Sequence, residues 1–228
     1  MKKRVLSLLL ALALAALAAC GGGGSNQNQN QNQPPQGGGQ TAAPERVITI
    51  AHSGDPTTLD PHKSFNGLVF TVTNQLYETL LFRAADGSLQ PRLATQWTPV
   101  DETTWEFKLR EGVKFSDGTP FNAEAVKFSL ERLADPETKG PGAFIVNMIE
   151  EITVVDDTTV RIRTSTPFTP LLAHLSHPVT AIVSPTAAAG DLSKQPAGTG
   201  PFLLEDWKAG DSVTLKANPD YWGGQPKV

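Results

Sequence analysis

The middle of the chain reads Thr104-Trp-Glu-Phe-Lys-Leu-Arg-Glu-Gly-Val-Lys-Phe-Ser-Asp-Gly-Thr-Pro-Phe121. In its first half Trp105, Phe107 and Leu109 alternate with charged side chains, which is the period of two of a strand with one apolar and one charged face. Ser116-Asp117-Gly118 then has the composition of a hairpin-type turn. The segment therefore predicts a β-strand that covers a core on one side only, followed by a tight turn.

Directly after this turn the apolar residues take the spacing of a helix. Asn122 is suited to an N-cap, and Lys127 and Glu131 are placed to pair at i,i+4. Asp135-Pro136 ends the pattern, because proline disfavours helical backbone in the residue before it. The predicted helix carries one apolar stripe, made of Ala123, Val126, Leu130 and Leu133.

The rest of the chain mixes strand and helix patterns without a regular βαβ rhythm, and no internal repeat is visible. The patterns predict a strand at 46–51, a helix within 68–81, hairpins at 152–162 and 202–217, a short helix at 168–175, a strand at 179–183 and a helix start at Ser184-Pro185. Gly198-Thr199-Gly200 is explained by turn geometry. The fold class is therefore mixed α/β.

The first 19 residues have the layout of a secretory signal. Lys2, Lys3 and Arg4 precede an apolar run of 15 residues from Val5 to Ala19, interrupted only by Ser7. A membrane span is the rival interpretation, and it fits poorly because a span takes about 20 apolar residues whereas a signal core takes about 7 to 15. The sequence therefore predicts an exported protein with residues 1–19 as its signal peptide.

Cys20 is the only cysteine in the chain. It follows Leu17-Ala18-Ala19, which resembles a bacterial lipobox, in which the thiol is acylated and becomes the first mature residue. A buried or stray free thiol is the alternative. Lipidation of Cys20 predicts attachment to the membrane through acyl chains, with the protein facing the periplasm or the cell exterior.

Residues 20–44 are predicted to form the lipidated cysteine and a flexible tether. After Cys20 the segment is almost pure Gly, Asn, Gln and Pro, which cannot bury a core. This leaves 45–228 to fold, enough for a sizeable core. Removing 1–19 removes three of the 19 basic residues and none of the 23 acidic ones, so the net charge falls from −4 to −7. Such an acidic balance argues against nucleic acid as a partner.

The sequence contains no recognisable catalytic or metal-binding constellation. His174 and His177 are three residues apart, but Pro178 follows and no further ligand lies nearby in the sequence, so surface or loop histidines are the better interpretation. His-Glu-x-x-His, Gly-x-Ser-x-Gly and phosphate-loop motifs are absent. We therefore expect no catalytic residues, no metal and no cofactor. Turn capping is expected for Asp55, Asp60, Asp101, Glu102, Asp156 and Asp157, and core packing for Trp97, Trp105, Trp207 and Trp222.

Six segments occur in an order typical of one protein family. They are Asp55-Pro-Thr-Thr-Leu-Asp-Pro61, Leu76-Tyr-Glu-Thr-Leu80, Pro91-Arg-Leu-Ala94 with Trp97, the segment 104–121, Gly198-Thr-Gly-Pro-Phe202 and Asn218-Pro-Asp-Tyr-Trp222. Together they resemble the oligopeptide/dipeptide class of bacterial extracellular solute-binding proteins (family 5), which feed ATP-binding cassette (ABC) importers.

The resemblance implies a periplasmic-binding-protein-like fold of type II, with two lobes that close over a ligand. The chain is then expected to be an N-terminal fragment, with lobe I at 46–81 and 165–228 and a β-rich insert at 82–164. In such proteins a loop after the Leu-Asp-Pro segment reaches the ligand, and here that loop supplies Ser64, Phe65, Asn66 and Gly67. A scaffolding role for this loop is the alternative.

The function implied by the resemblance is capture without turnover. We expect a monomeric receptor that takes peptides, or related solutes such as nickel chelates, sugars or opines, and delivers them to ABC permease subunits. Two alternatives remain open. One is a secreted lipoprotein hydrolase with its catalytic residues beyond residue 228, and the other is a structural or adhesive lipoprotein.

Overall fold

The computed structural model describes residues 46–228. The predicted signal peptide, Cys20 and the tether up to residue 44 lie outside these described residues and stay predictions. The strands are β1 (Leu81–Arg83), β2 (Leu89–Pro91), β3 (Ala94–Pro99), β4 (Thr104–Leu109), β5 (Ile149–Asp156), β6 (Thr159–Thr164), β7 (Phe202–Lys208) and β8 (Ser212–Ala217). The α-helices are α1 (Gly67–Leu76), α2 (Ala123–Ala134), α3 (Leu171–His174) and α4 (Pro185–Ala188).

The largest sheet is antiparallel and has the strand order β3-β4-β6-β5. The predicted amphipathic strand is β4, which lies inside this sheet between β3 and β6. Phe107 of β4 is fully buried and stands opposite Trp97 on one side and Val160 on the other. The predicted hairpin at 152–162 is formed by β5 and β6, so both β predictions for this region are confirmed.

Helix α2 packs against β5 and β6 with the apolar stripe that the sequence predicted. The Asn122 side chain accepts a hydrogen bond from the Ala125 backbone N–H and caps the helix, which ends before Asp135. The Lys127 ammonium lies 3.9 Å from the Glu131 carboxylate. The cap, the stripe and the helix end are therefore confirmed.

The four tryptophans lie at the edges of the two core clusters, as expected for core residues. Trp97, Trp105 and Trp222 pack against the larger cluster and Trp207 against the smaller one. The 202–217 hairpin is also confirmed, as the pair β7–β8. The predicted start of a helix at Ser184-Pro185 is confirmed too, since the Ser184 hydroxyl accepts from the Ala187 N–H at the start of α4.

Two predicted strands are wrong. Residues 46–51 form no strand, and Val47, Ile48 and Ile50 are 65–77% exposed, because no described strand pairs with them. The segment 179–183 begins within a 3₁₀ helix, Pro178–Thr180, and makes only an isolated bridge between Ile182 and Glu78. Its apolar run reflects complete burial, since Val179, Ile182 and Val183 are all 0% exposed.

Gly198 and Gly200 are required by close packing and not by turn geometry. Neither residue has a positive φ. A Cβ on Gly198 would collide with the Leu76 carbonyl oxygen and the Tyr77 ring, and one on Gly200 would collide with the backbone at Gln75 and Leu76. Glycine therefore lets this loop lie directly against the carboxyl end of α1.

Three of the acidic residues assigned to turns differ in the groups that they bind. Asp101 and Asp156 cap local turns, each accepting a 2.8 Å hydrogen bond from the backbone N–H two residues on. Asp55 instead accepts from the Gly210 N–H at 2.8 Å and from the Trp207 indole at 3.3 Å. It therefore fastens the β7–β8 hairpin to the start of the described chain.

Candidate functional site

The four residues that the resemblance assigned to ligand contact run from the end of the 3₁₀ helix Pro61–Lys63 to the first residue of α1. Ser64 is buried, the Asn66 side chain accepts from the Leu68 N–H and caps α1, and Gly67 is the first residue of that helix. Phe65 is 42% exposed. Three of the four therefore have local structural roles, and Phe65 offers the largest side-chain surface to a solute.

Phe65 belongs to an aromatic cluster that consists of Phe65, Phe70, Phe144 and His177. Its ring stacks on His177, with the centroids 4.9 Å apart and the planes 6° from parallel. The ring centroid of Phe144 lies 5.2 Å from that of Phe65. The Phe70 ring packs edge-on against Phe65 and His177, with centroid distances of 6.1 and 5.5 Å. These are favourable aromatic geometries, so the four rings support one another.

Two rings of the aromatic cluster are strongly exposed, which is unusual for phenylalanine. Phe144 is 56% exposed and Phe65 is 42% exposed. Gly142 brings their segments together, because a Cβ there would lie 2.9 Å from the Phe65 ring and would also collide with Val179. The cluster can therefore present two adjacent aromatic faces to an apolar or aromatic group of a ligand.

His177 contributes to the aromatic cluster as a neutral ring. Partial burial, followed by the nearby His174, lowers the pKa of His177 below its usual range. Its Nδ1 accepts a hydrogen bond from the Val179 N–H at 3.2 Å, so the proton of the neutral ring lies on Nε2. From the sequence, His177 was considered only as a weak metal candidate, and its stacking on Phe65 was not predicted.

Asp60, His62 and Arg132 form a hydrogen-bonded group next to the loop that carries Phe65. The Asp60 side chain is 0% exposed, caps the His62 N–H at 3.0 Å and pairs with the Arg132 guanidinium at 2.6 Å. Arg132 also donates to His62 Nδ1 at 2.8 Å, so His62 carries its proton on Nε2 and donates to the Ala181 carbonyl at 2.9 Å. The turn role expected for Asp60 is thus accompanied by a buried ion pair.

His62 is held in its neutral form by this arrangement. Burial, followed by the Arg132 charge, lowers the pKa of His62 to about 4. Protonation would place a hydrogen on Nδ1, where it would face the guanidinium that now donates to that atom. The trio therefore joins α2 and the segment at Ala181 to the loop that carries Phe65.

A second buried carboxylate joins four of the six segments that carried the family resemblance. The Glu78 side chain is 0% exposed. It accepts hydrogen bonds from Arg92 at 3.0 Å, Thr199 at 2.9 Å, Tyr221 at 2.8 Å and Trp222 at 2.6 Å. Burial and the Glu78 charge raise the pKa of Tyr221, which keeps its hydroxyl protonated as a donor. With its oxygens fully engaged, Glu78 is a structural group.

The described residues show neither a metal centre nor a membrane helix. Between residues 46 and 228, no group of three or more His, Cys, Asp and Glu side chains is placed to hold a metal ion. Within the same range no helix is long and apolar enough to cross a bilayer.

Residues 88–228 match the sequence model described as "Bacterial extracellular solute-binding proteins, family 5 Middle". The chain belongs to this family of solute-binding proteins. The glutathione-binding protein GsiB of Shigella flexneri is 37% identical over 186 residues, which cover 79% of this chain and 36% of GsiB. The "Probable D,D-dipeptide-binding periplasmic protein DdpA" of Escherichia coli (strain K12) is 35% identical, over 81% of this chain and 38% of DdpA.

The fold is similar to that of solved periplasmic binding proteins. The periplasmic binding protein DppA of Helicobacter pylori, solved with the peptide STSA, aligns with a TM-score of 0.68 and 31% identity, over 75% of this chain and 38% of DppA. The periplasmic-binding-protein-like fold class is therefore confirmed, as is the family resemblance. The relatives are named as binding proteins and not as enzymes, and the family-5 chain spans little more than a third of their length.

Proposed function

We propose that the chain is the N-terminal part of a membrane-anchored, extracytoplasmic receptor that captures peptides or a related small solute and delivers them to the permease of an ABC importer. The observation that carries the proposal is the exposed aromatic cluster, in which Phe65 of the predicted ligand loop stacks on His177 beside Phe144. Rigid aromatic faces contact varied apolar groups at a low cost in conformational entropy. That property suits a receptor for peptides of differing sequence.

The proposed organisation assigns 46–81 and 165–228 to lobe I and 82–164 to a β-rich insert. The sheet made of β3 to β6 lies inside this insert, which supports its β-rich character. The aromatic cluster takes Phe65, Phe70 and His177 from the proposed lobe and Phe144 from the insert. A solute lying on the aromatic cluster would thus contact both lobe I and the insert, and the second lobe would close over it.

A first prediction concerns Phe144, the most exposed ring of the aromatic cluster. Replacing Phe144 with alanine in the protein of full encoded length is expected to weaken peptide affinity about tenfold, because one ring no longer packs on the solute. Calorimetric titration with glutathione, a D,D-dipeptide and the peptide STSA, the ligand types named for relatives, would measure the effect. The thermal midpoint should change little, since Phe144 is 56% exposed.

The matched control is Val155→Ala, which removes a side chain that is 45% exposed on β5 and should leave affinity unchanged. Wild-type affinity in Phe144→Ala would contradict the proposed site. Products formed from these peptides by the unmodified protein would instead support the alternative of a secreted hydrolase. An absence of binding across the three ligands and a wider solute library would favour a structural or adhesive lipoprotein.

The membrane anchor is proposed from Cys20, which lies outside the described residues. A second prediction is that Cys20→Ser moves the protein from the membrane fraction to the soluble extracytoplasmic fraction, because the acyl chains that hold it are no longer added. Metabolic labelling with a palmitate analogue, followed by fractionation, measures both changes. Equal palmitate labelling of the wild-type protein and of Cys20→Ser would argue against lipidation at this residue.

A further inference from the structure

The His62 ring lies where three segments of the chain meet. His62 itself precedes Phe65 by three residues. Its Nδ1 accepts a hydrogen bond from Arg132 of α2 at 2.8 Å, and its Nε2 donates to the Ala181 carbonyl at 2.9 Å. These two partners lie 70 and 119 residues away along the chain. One buried ring therefore joins the loop that carries Phe65 to two segments that are distant in sequence.

The two distant segments carry the other rings that pack on Phe65. His177 is the N-cap of the 3₁₀ helix Pro178–Thr180, and Ala181 is the C-cap of the same helix. Phe144 lies in another 3₁₀ helix, Ala143–Ile145, which follows α2 along the chain. The segments joined at the His62 ring are thus the ones that bring the aromatic cluster together.

Two glycines bring the segment of Phe144 directly against the loop. A Cβ on Gly140 would lie 2.8 Å from the His62 carbonyl oxygen, and one on Gly142 would lie 2.9 Å from the Phe65 ring. Both distances are shorter than ordinary van der Waals contact, so glycine permits an approach that a larger residue would prevent. The position of Phe144 is therefore set by direct contact with the loop that begins at His62.

The charges around His62 leave its ring no favourable place for a second proton. Arg132 donates to the Nδ1 atom that the proton would occupy. The charge of Asp60 is already shared by Arg132 at 2.6 Å and Lys63 at 4.0 Å, and the third segment contributes only a backbone carbonyl. Tyr77, close to Asp60 and Arg132, stays uncharged because burial raises its pKa. Protonation of His62 therefore breaks the hydrogen bond from Arg132 and brings two positive charges together.

We propose that Asp60, His62 and Arg132 are positioning residues for ligand capture, and that protonation of His62 releases the aromatic cluster and lowers its affinity for a solute. This assignment rests on the proposed function and adds regulation by acid to it. The solute binds only while the rings keep their spacing, so its apparent affinity falls with the fraction of molecules in which they do. The receptor then holds its solute near neutral pH and releases it in acid.

The first test measures the ring contact without a ligand. In the protein of full encoded length, Phe144 is labelled as 4-fluorophenylalanine and its ¹⁹F chemical shift is followed from about pH 7.5 to about pH 4. We expect the resonance to move toward that of the free amino acid below about pH 6.5, and His62→Gln to abolish this movement. His177→Gln is the matched control, because His177 stacks on Phe65 but should leave the movement intact. Circular dichroism at each pH shows whether the fold is kept.

A variant that leaves the buried charges unchanged tests the same contact at neutral pH. Gly140→Ala should move the ¹⁹F resonance of Phe144 toward that of the free amino acid, because the new methyl group pushes the segment away from the His62 carbonyl. Gly54→Ala is its control, since a Cβ there would meet nothing within 4 Å. Equal resonances in Gly140→Ala and the unmodified protein would overturn the positioning role.

The second test measures affinity by calorimetric titration with the peptide STSA, which carries no titratable side chain. Binding to the unmodified protein should be about tenfold weaker at about pH 4.5 than at about pH 7, and His62→Gln should show less than about a twofold difference. Equal affinity at the two pH values would overturn the proposal. So would a ¹⁹F movement that persists in His62→Gln, or one that coincides with global unfolding.

Failure of this inference is distinguishable from failure of the proposed function. Binding of STSA that is equally tight at both pH values would preserve the receptor and exclude regulation through His62. Absent binding of STSA, glutathione and a D,D-dipeptide, together with a ¹⁹F movement that His62→Gln abolishes, would contradict the proposed function and retain the positioning of the rings by His62.

Discussion

Replacing Glu78 with alanine is expected to destabilise the folded chain by about 3–5 kcal/mol, the usual cost of removing one partner from a buried charged network. The substitution leaves the Arg92 guanidinium without its counter-charge and leaves donors on Thr199, Tyr221 and Trp222 unpaired. Each unpaired buried donor adds a desolvation cost of about 1–3 kcal/mol unless water reaches it. The loss should be visible as reduced protection from hydrogen exchange in peptides covering β1, β2 and 218–222.

The matched control for Glu78 is Glu151, whose carboxylate pairs with Arg163 at 2.8 Å while 55% exposed. Glu151→Ala should reduce the free energy of unfolding far less than Glu78→Ala does, because water and salt screen an exposed pair. Similar losses in the two variants would show that the Glu78 network does not hold these segments together. Glu78→Gln is informative as well, since its amide presents two donors where only acceptors fit, and it should recover little of the lost stability.

The Glu78 network shows why local patterns could predict part of this fold and not the rest. Strand β4 and helix α2 follow from periods of two and 3.6 and from a cap, all of which lie within a few neighbouring residues. The partners of Glu78 lie 14 to 144 residues away along the chain. No spacing rule relates such positions, so the family resemblance identified the segments without indicating that they meet at one carboxylate.

The wrong strands have a related cause. A β-branched run indicates burial or pairing, and the sequence alone does not distinguish the two. Val183 is buried beside a 3₁₀ helix, whereas Ile48 is exposed and unpaired within the described range. In both places the partner of the segment decides its structure, and the partner lies far away in the sequence or outside the described residues.

The candidate site, like the fold, could be predicted only in part from the sequence. The resemblance indicated the loop that carries Phe65, but Ser64, Asn66 and Gly67 are used for burial and for the start of α1. Phe144 was missed because nothing near it in the sequence distinguishes an exposed aromatic residue from a core one. An available clue was Gly142, since a glycine close to an isolated phenylalanine is consistent with a tight approach to another segment.

The second large effect is a loss of stability at acidic pH that we expect from protonation of His62. A histidine whose folded-state pKa is lowered contributes stability above its unfolded pKa of about 6.5 and loses it as the pH falls toward the folded value. For His62 that value is about 4, so the loss falls between about pH 6.5 and pH 4. We expect the segments joined by Asp60, His62 and Arg132 to lose about 2–3 kcal/mol over this interval.

Native-state hydrogen exchange at several pH values, corrected for the intrinsic rate, would measure this loss in peptides covering 56–64 and α2. His62→Gln should flatten the pH dependence while lowering stability at pH 7, because glutamine does not titrate and does not fill the same space. His177→Gln is the control. The pKa of His177 is also lowered, so protonation of His177 also reduces stability as the pH falls. His177 is only partly buried and bears on the aromatic cluster, so its replacement should leave most of the dependence in 56–64 intact.

An unchanged slope in His62→Gln would show that acid acts on these segments through another group. The carboxylates of Asp101 and Asp156 are other groups that make stability depend on pH, because hydrogen bonds lower the pKa of each below its usual range. Their contribution is lost only below the ordinary carboxylate pKa of about 4, whereas that of His62 begins to fall near pH 6.5. The pH at which protection starts to decline therefore separates the buried histidine from the capping aspartates.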